Sequence, residues 1–201
     1  QQQYQTSAQK LSDKRKKASS KLGRLVNAQL KALAMANAQI TIALSALEHQ
    51  AGPQGLEDIE FLITTNPGQS PQALAKVASG GELSRVSLAI QVVTAKTSAI
   101  PTLVFDEVDV GIGGATGDIV GQLLRELGNK GQVICVTHLA QVASKAHQHL
   151  QVSKTLDKSS AQTTLLSLNG QEKIEEIARM LGGVEITPQS LDHAQAMLGA
   201  A

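Results

Sequence analysis

Aromatic residues are nearly missing from this chain of 201 residues, in which Tyr4, Phe61 and Phe105 are the whole set. The core must therefore be aliphatic, and a hydrophobic content of 42% is high enough to form one. Base stacking on aromatic side chains, a common way to hold single-stranded nucleic acids, is nearly excluded.

Cysteine is just as scarce, because Cys135 stands alone and can form no intrachain disulfide. This agrees with a reducing compartment, and we expect a cytoplasmic protein. No apolar run approaches the length of a membrane span, and the first residues do not resemble a signal peptide. Because the chain begins at Gln1 rather than at methionine, we expect a piece of a longer protein.

Acidic residues are rare at the start of the chain. Residues 1–31 contain eight basic residues against Asp13 alone, a net charge of +7, while the rest contains ten basic and sixteen acidic residues. A basic arm on a mildly acidic body attracts polyanions, so this segment is a candidate DNA-binding surface. The alternative, a solvated helix face, stays open.

The same segment favours one long helix, because residues 6–37 contain no proline and Gly23 as their single glycine. Its apolar positions recur at intervals of three, four and seven: Leu11, Ala18, Leu22, Leu25, Leu30 and Leu33. This narrow stripe suits a strand of a coiled coil. Residues 39–44 and 59–64 then predict two antiparallel strands around a turn rich in glycine and proline.

The second half of the chain has the strand–helix–strand order of an α/β protein. Residues 102–105 and 132–137 predict short buried strands, and residues 116–127 a helix between them, which implies parallel pairing. Further elements are expected: a helix after Gly81, a short helix after His138, a hairpin at 148–153 and 162–168, and helices at 171–181 and from Pro188.

Two adjacent carboxylates, Asp106 and Glu107, follow the first of these strands. At the carboxyl edge of a parallel sheet they would face the crevice in which such folds bind ligands. There Asp106 could hold Mg²⁺ through water, and Glu107 could polarise an attacking water. The alternative is an acidic pair that caps a neighbouring loop.

His138 follows the second strand, and we expect it at the same edge of the sheet. A histidine there can hydrogen-bond a phosphate oxygen or the attacking water, although a structural role is the alternative. His147 and His149 lie two residues apart without a third ligand nearby, so we interpret them as structural rather than as a metal site.

Ser79, Gly80, Gly81 and Glu82 open the predicted helix before these strands. The glycines permit close approach of a ligand to the backbone, and the free amides with the helix dipole favour an anion. A plain N-cap by Ser79 is the alternative.

Three segments together resemble SMC-like ATPases. ASGGELSR (78–85) resembles their signature motif, TLVFDEVDVGIGG (102–114) their Walker B motif and D-loop, and VTHLAQVAS (136–144) their switch-histidine segment. Within that group, the run from NPGQSP to the histidine is similar to the RecN family of bacterial DNA repair proteins. The resemblance is strongest over residues 57–154, and the family typically has serine where this chain has Gly113.

The resemblance implies a fold and a set of partners. The fold would be α/β, the C-terminal lobe of an ATP-binding-cassette or SMC-type P-loop ATPase head. Residues 1–37 would be the end of a coiled-coil arm and residues 38–201 the lobe. The partners would be the N-terminal lobe of the same protein, which carries Walker A, a second copy through a head dimer, and DNA, but no membrane.

The resemblance also implies residue roles in hydrolysis of ATP during double-strand break repair and homologous recombination. Asp106 would hold Mg²⁺, Glu107 would be the general base and His138 the γ-phosphate sensor. Asp109 would make the D-loop contact across the dimer. The signature, Ser79 to Glu82, would close over the nucleotide of the second head.

The motif G-x-x-x-x-G-K-[ST] does not occur in these residues. Without this phosphate cradle the chain alone is expected to bind ATP weakly and not to hydrolyse it. Two alternatives remain. A fragment of a transporter cassette is disfavoured by Glu82, where transporters usually have glutamine, and by the basic arm. A structural head without turnover is disfavoured by the intact Asp106–Glu107 pair.

Overall fold

The computed structural model describes residues 2–47, 52–76, 79–95, 100–157, 160–182 and 185–200. They fall into two compact units, Gln1–Ser98 and Ala99–Ala201. The first unit combines helices with one small sheet and the second combines helices with two, so the α/β class expected from the sequence is confirmed.

The first unit contains two helices and a three-stranded sheet. The elements in chain order are α1 (Gln2–Ala32), β1 (Gln39–Ala46), β2 (Glu57–Thr64), β3 (Gln72–Ala73), a 3-10 turn (Leu74–Lys76) and α2 (Gly80–Thr94). The strands are antiparallel in the order β1-β2-β3, and β1 pairs with β2 from Gln39↔Thr64 to Ala46↔Glu57. The predicted antiparallel pair is therefore confirmed, with both strands slightly longer than expected.

Helix α1 packs against β1 and is hydrogen-bonded to it. The side chains of Val26, Leu30 and Leu33 are buried. Asn27 accepts a hydrogen bond from the Ile40 N–H (2.7 Å), and its amide donates to the Ile40 carbonyl (3.1 Å). Because β1 takes up both hydrogen-bonding groups of one side chain, the helix and the strand are held in a fixed register.

Further contacts hold α1 along its length. Near its start, the Tyr4 hydroxyl donates to the carbonyls of Gly52 (3.0 Å) and Gly55 (3.2 Å). Two residues beyond Gly55, Glu57 accepts hydrogen bonds from Ser12 and Arg15. The helix also packs against α2. The boundary predicted between a coiled-coil arm (residues 1–37) and a lobe (residues 38–201) lies inside this unit. This division of the chain stays a prediction.

The end of α1 differs from the sequence prediction, which placed it near residue 37. The last helical residue is Ala32, and Ala34 adopts a left-handed backbone conformation with φ 58°. The Met35 N–H donates to the Leu30 carbonyl at 2.9 Å, which is the hydrogen bond of a Schellman-type helix end. Sequence reasoning missed this end because alanine, a strong helix former, occupies the terminating position.

The second unit begins with a parallel strand pair. Its elements are β4 (Thr102–Phe105), α3 (Gly114–Gly128), β5 (Gln132–Cys135), α4 (Ala140–Ala143), β6 (His149–Asp157), β7 (Ser160–Leu168), α5 (Gln171–Gly182) and α6 (Pro188–Gly199). β4 pairs with β5 from Thr102↔Gln132 to Phe105↔Cys135, with α3 between them in the chain. The predicted strand–helix–strand unit is confirmed, and so is the antiparallel hairpin of β6 and β7.

Helices α4, α5 and α6 enclose a small core of Ala140, Ile177, Ala178 and Ala194. Thr187 caps α6 through a reciprocal pair of hydrogen bonds with Ser190, and Pro188 is among the first helical residues. The last helix therefore begins at Pro188, as the sequence predicts.

Burial of β4 and β5 was predicted, and this prediction is wrong for the chain as described. Phe105 is buried, but Val104 is 66% exposed and Ile134 45% exposed. These two residues are register partners, so they share one face of the strand pair. The apolar pattern is that of strands covered on both sides, yet the described residues cover this face only in part.

Candidate functional site

Asp106 and Glu107 lie immediately after β4, and both side chains are exposed. Asp106 Oδ1 accepts a hydrogen bond from the Glu107 N–H at 2.9 Å. Asp106 therefore caps the backbone of its own turn, which matches part of the alternative interpretation as a loop-capping pair. Because both carboxylates are exposed, they avoid the desolvation cost of a buried carboxylate.

Glu107 has a left-handed backbone, with φ 57°. For a residue with a side chain this conformation costs about 1–2 kcal/mol relative to the right-handed region. The turn is closed by hydrogen bonds from the Val110 N–H to the Glu107 carbonyl (3.2 Å) and from the Ile112 N–H to the Asp109 carbonyl (3.3 Å). Strain of this kind concentrates at functional sites, and no sequence pattern would have revealed it.

Asp109, on the same turn, is buried and only 1% exposed. Its Oδ2 accepts hydrogen bonds from the Thr137 hydroxyl and from the His138 N–H, the latter at 3.1 Å. His138 Nδ1 lies 3.4 Å from the same oxygen. Asp109 thus joins the turn after β4 to the segment after β5, a pairing that sequence reasoning missed. The expected contact of Asp109 across a dimer stays a prediction.

His138 follows β5, which is parallel to β4, so its backbone leaves the sheet at the same end as Asp106 and Glu107. Its side chain is 69% exposed. The N–H of Leu139 donates to the Thr137 hydroxyl (3.1 Å), and α4 begins at the next residue. An exposed imidazole on an anchored segment is available to a ligand.

Helix α4 lies very close to α3 at two glycines. A Cβ added at Gly121 would lie 2.8 Å from Lys145 Cγ and 3.0 Å from the Gln141 carbonyl oxygen, and one at Gly117 would lie 3.1 Å from Gln141 Cβ. Arg125 of α3 donates to the Lys145 carbonyl at 2.7 Å. Together these contacts fix the residues that follow His138.

Cys135, the last residue of β5, lies beside this site. Burial raises the pKa of its thiol to about 12, and the nearby carboxylates of Asp109 and Asp106 contribute in the same direction. The thiol is therefore protonated at neutral pH, and it is not a nucleophile.

The two histidines interpreted as structural are placed differently. His149 is buried and its Nε2 hydrogen-bonds to the Ala143 carbonyl, while His147 is exposed. Burial lowers the pKa of His149. Within the part of the chain that the structure describes, no three His, Cys, Asp or Glu residues are grouped so as to hold a metal ion.

The segment Ser79 to Glu82 lies in the first unit, at the start of α2. Ser79 Oγ accepts a weak hydrogen bond from the Glu82 N–H at 3.4 Å, so the N-cap expected of Ser79 is present. Gly80 is exposed and Gly81 is buried. Binding of an anion at this helix start stays a prediction.

The basic residues of α1 divide into an outer and an inner group. Five cations at intervals of four and three residues form one exposed face, the basic stripe: Lys10, Lys14, Lys17, Lys21 and Arg24. The buried residues Ser12 and Val26 lie about half a helical turn away. Arg15 belongs to the inner group, because it is 18% exposed and lies 3.4 Å from Glu57 Oε2.

No helix in the described ranges is both long enough and apolar enough to cross a membrane. No protein-family model matches the chain.

Curated proteins of similar sequence share one name, DNA repair protein RecN. The chain is 50% identical to RecN of Xylella fastidiosa (strain 9a5c) over 194 residues, which cover 96% of the chain and 34% of that protein. It is 46% identical to RecN of Haemophilus influenzae over 196 residues, or 98% of the chain and 35% of the relative. The chain thus spans about a third of the length of the curated relatives it matches.

Solved structures of similar fold are SMC heads. A head domain with coiled coil and joint from Pyrococcus yayanosii matches with a TM-score of 0.54 and 18% identity, over 78% of this chain and 28% of that one. A head domain from Pyrococcus furiosus with an extended coiled coil, bound to the C-terminal domain of ScpA, matches with a TM-score of 0.50 and 21% identity, over 80% and 36%. At these identities the match concerns the fold alone.

Proposed function

Because the chain belongs to the RecN family and corresponds to the C-terminal third of its members, we propose that it is one lobe of an ATPase head that acts in DNA repair. The process would be repair of double-strand breaks by homologous recombination, in the bacterial cytoplasm at the nucleoid. The reaction is hydrolysis of ATP between two heads.

One observation carries the proposal: the parallel pairing of β4 and β5 brings Asp106, Glu107 and His138 to one end of a sheet. Two exposed carboxylates and an exposed imidazole at that place form a donor set for a nucleotide and its cation. Oxygen donors suit Mg²⁺, so the residues fit the cofactor, which Asp106 would hold through water. When bound, Mg²⁺ neutralises charge on the phosphates.

In this scheme the chain supplies a base and a γ-phosphate sensor. Glu107 accepts a proton from the attacking water, and His138 senses the γ-phosphate through that water, whose second O–H donates to Nε2. Ser79, Gly80 and Gly81 present backbone N–H groups and a hydroxyl to the nucleotide of a second copy of the protein.

The N-terminal lobe of the same protein would cover the exposed face of β4 and β5. Val104, Ile134 and Val136 are apolar and between 45% and 66% exposed. A parallel sheet is normally covered on both faces and contains more than two strands. Added strands and helices from the other lobe would bury these side chains and bring Walker A to the site.

Reconstitution tests this division of labour. The chain alone is expected to hydrolyse no ATP above background, and addition of the N-terminal lobe of the same protein is expected to restore turnover. A chain carrying Glu107→Gln, mixed with the same lobe, is the control for contaminating ATPases. Turnover by the chain alone at the rate of the mixture would contradict the proposal.

DNA is the proposed ligand of the basic stripe. The five cations lie on one exposed side of a single helix and extend over about 21 Å, at a rise of about 1.5 Å per residue. A row of this kind can neutralise successive phosphates without reading bases, and the lack of aromatic residues agrees with contacts to the backbone. Arg15 is excluded from this role because Glu57 already neutralises it.

A further inference from the structure

Asp109 is a buried carboxyl group, and its burial needs an explanation. Its side chain is 2% exposed, and a carboxylate at such a place is stable only if it is hydrogen-bonded. The hydrogen bonds described for it come from one short segment, the Thr137 hydroxyl and the His138 N–H, and the His138 imidazole lies beside the same oxygen. The carboxyl group is therefore directed at the segment that carries the exposed histidine.

That segment has no regular structure of its own to hold it. β5 ends at Cys135 and α4 begins at Ala140, so residues 136–139 lie between the two elements. The Thr137 hydroxyl donates to Asp109 and accepts from the Leu139 N–H, which links the carboxylate to the start of α4. Asp109 thus fixes the backbone on both sides of His138.

The carboxyl group of Asp109 also lies close to the imidazole ring of His138. Asp109 Oδ2 lies 3.4 Å from His138 Nδ1, where a carboxyl oxygen can act as the acceptor for an N–H at Nδ1. The opposite nitrogen, Nε2, is then left for another partner. A second residue that selects the tautomer and orientation of a functional histidine is a recurrent device in proteins.

We propose that Asp109 is a positioning residue for His138. It holds the imidazole in the orientation and in the Nδ1–H tautomer in which Nε2 can accept a hydrogen bond from the attacking water, an inference that rests on the proposed function of His138. Because Asp109 is two residues from Glu107 on one hydrogen-bonded turn, the base and the histidine are positioned by the same piece of backbone.

The first test measures the tautomer in this chain without nucleotide. In the chain labelled with ¹⁵N-histidine, the side-chain nitrogen shifts of neutral His138 are expected to be those of the Nδ1–H form, and Asp109→Asn is expected to move them toward the Nε2–H form. Asp109→Asn keeps the shape of the side chain, and an unchanged amide spectrum elsewhere confirms folding. Shifts of His138 that are the same in both proteins would overturn the proposal.

The second test measures hydrolysis in the protein with both lobes. Asp109→Asn is expected to lower kcat about 10- to 100-fold with little change in KM for ATP, as the removal of other histidine-orienting partners does. In a His138→Gln background, the same substitution is expected to cost nothing more, because the two residues act as a unit. Equal decreases in both backgrounds would show that Asp109 acts elsewhere, for example across the head dimer.

The two tests separate this inference from the proposed function. If Asp109→Asn changes the tautomer while His138→Gln leaves hydrolysis unchanged, Asp109 positions the histidine but the proposed role of His138 in hydrolysis is wrong. If His138→Gln abolishes hydrolysis and Asp109→Asn changes neither tautomer nor kcat, the role of His138 holds and positioning by Asp109 is refuted.

Discussion

The contact between α3 and α4 predicts that Gly121→Ala destabilises the second unit, although alanine is the better helix former. Gly121 is inside α3, where replacing glycine by alanine normally stabilises a helix by about 1 kcal/mol. Here the new Cβ would lie 2.8 Å from Lys145 Cγ and 3.0 Å from the Gln141 carbonyl oxygen. The side chain of Lys145 can move, but the carbonyl can move only together with α4.

The magnitude follows from these opposing effects. Overpacking of a closely packed contact costs about 1–3 kcal/mol, so the net change is expected to be a destabilisation of up to about 2 kcal/mol after the gain in helix propensity. Displacement of α4 would also disturb His138, three residues before Gln141. We therefore expect a lower kcat in the protein with both lobes, in addition to lower stability.

Urea denaturation of this chain measures the first effect, and Gly199→Ala is the matched control. Gly199 is the last residue of α6, and a Cβ there would meet nothing within 4 Å. Combination of Gly121→Ala with Lys145→Ala removes the shortest of the three close contacts, that with Lys145 Cγ, and is expected to recover part of the stability. If Gly121→Ala is more stable than the wild type by the full gain in helix propensity, about 1 kcal/mol, the close approach of the two helices is wrong.

Three further predictions concern other residues. In the protein with both lobes, Glu107→Gln is expected to permit ATP binding and to lower kcat by about 10²- to 10⁴-fold. Unchanged turnover in a steady-state assay would show that Glu107 is not the base. Replacing three lysines of the basic stripe with glutamine is expected to reduce the slope of log K for DNA binding against log salt concentration by about 0.9 for each phosphate that is no longer neutralised. The control Lys16→Gln, at an exposed position off the stripe, is expected to leave this slope nearly unchanged. Burial lowers the pKa of His149 in the folded chain, so below a pH of about 6.5 the unfolded chain binds more protons than the folded one and the free energy of unfolding is expected to fall as the pH falls. His149→Gln should abolish this part of the pH dependence, whereas His147→Gln, at an exposed site, should not.

The elements of the fold were predictable where the sequence has a clear period. The parallel pair β4 and β5 follows from two short apolar runs with a helix between them, and the start of α6 follows from a threonine and a proline at the capping positions. The end of α1 was not predictable, because Ala34 adopts a left-handed conformation that its side chain disfavours. Tertiary packing of Leu33 and Met35, both buried, holds that turn in place.

The placement of the candidate residues at one edge of the sheet was predictable, but the hydrogen bonds between them were not. Asp106, Glu107 and His138 follow the two strands, so their common edge follows from parallel pairing alone. The bond between Asp109 and Thr137 joins residues that are 28 positions apart, and it depends on the exact path of two loops. The role of Gly121 was not predictable either. Glycine is unfavourable inside a helix, and only the close approach of α4 explains it at this position.

The hydroxyl of Tyr4 has a practical consequence for experiments on α1. The chain contains no tryptophan and a single tyrosine, so its ultraviolet emission comes almost entirely from this one phenol. Because the phenol donates to the carbonyls of Gly52 and Gly55, its fluorescence intensity and anisotropy report whether the first turns of α1 are docked. Titration with DNA, which emits negligibly at these wavelengths, could then be followed without any label on the protein.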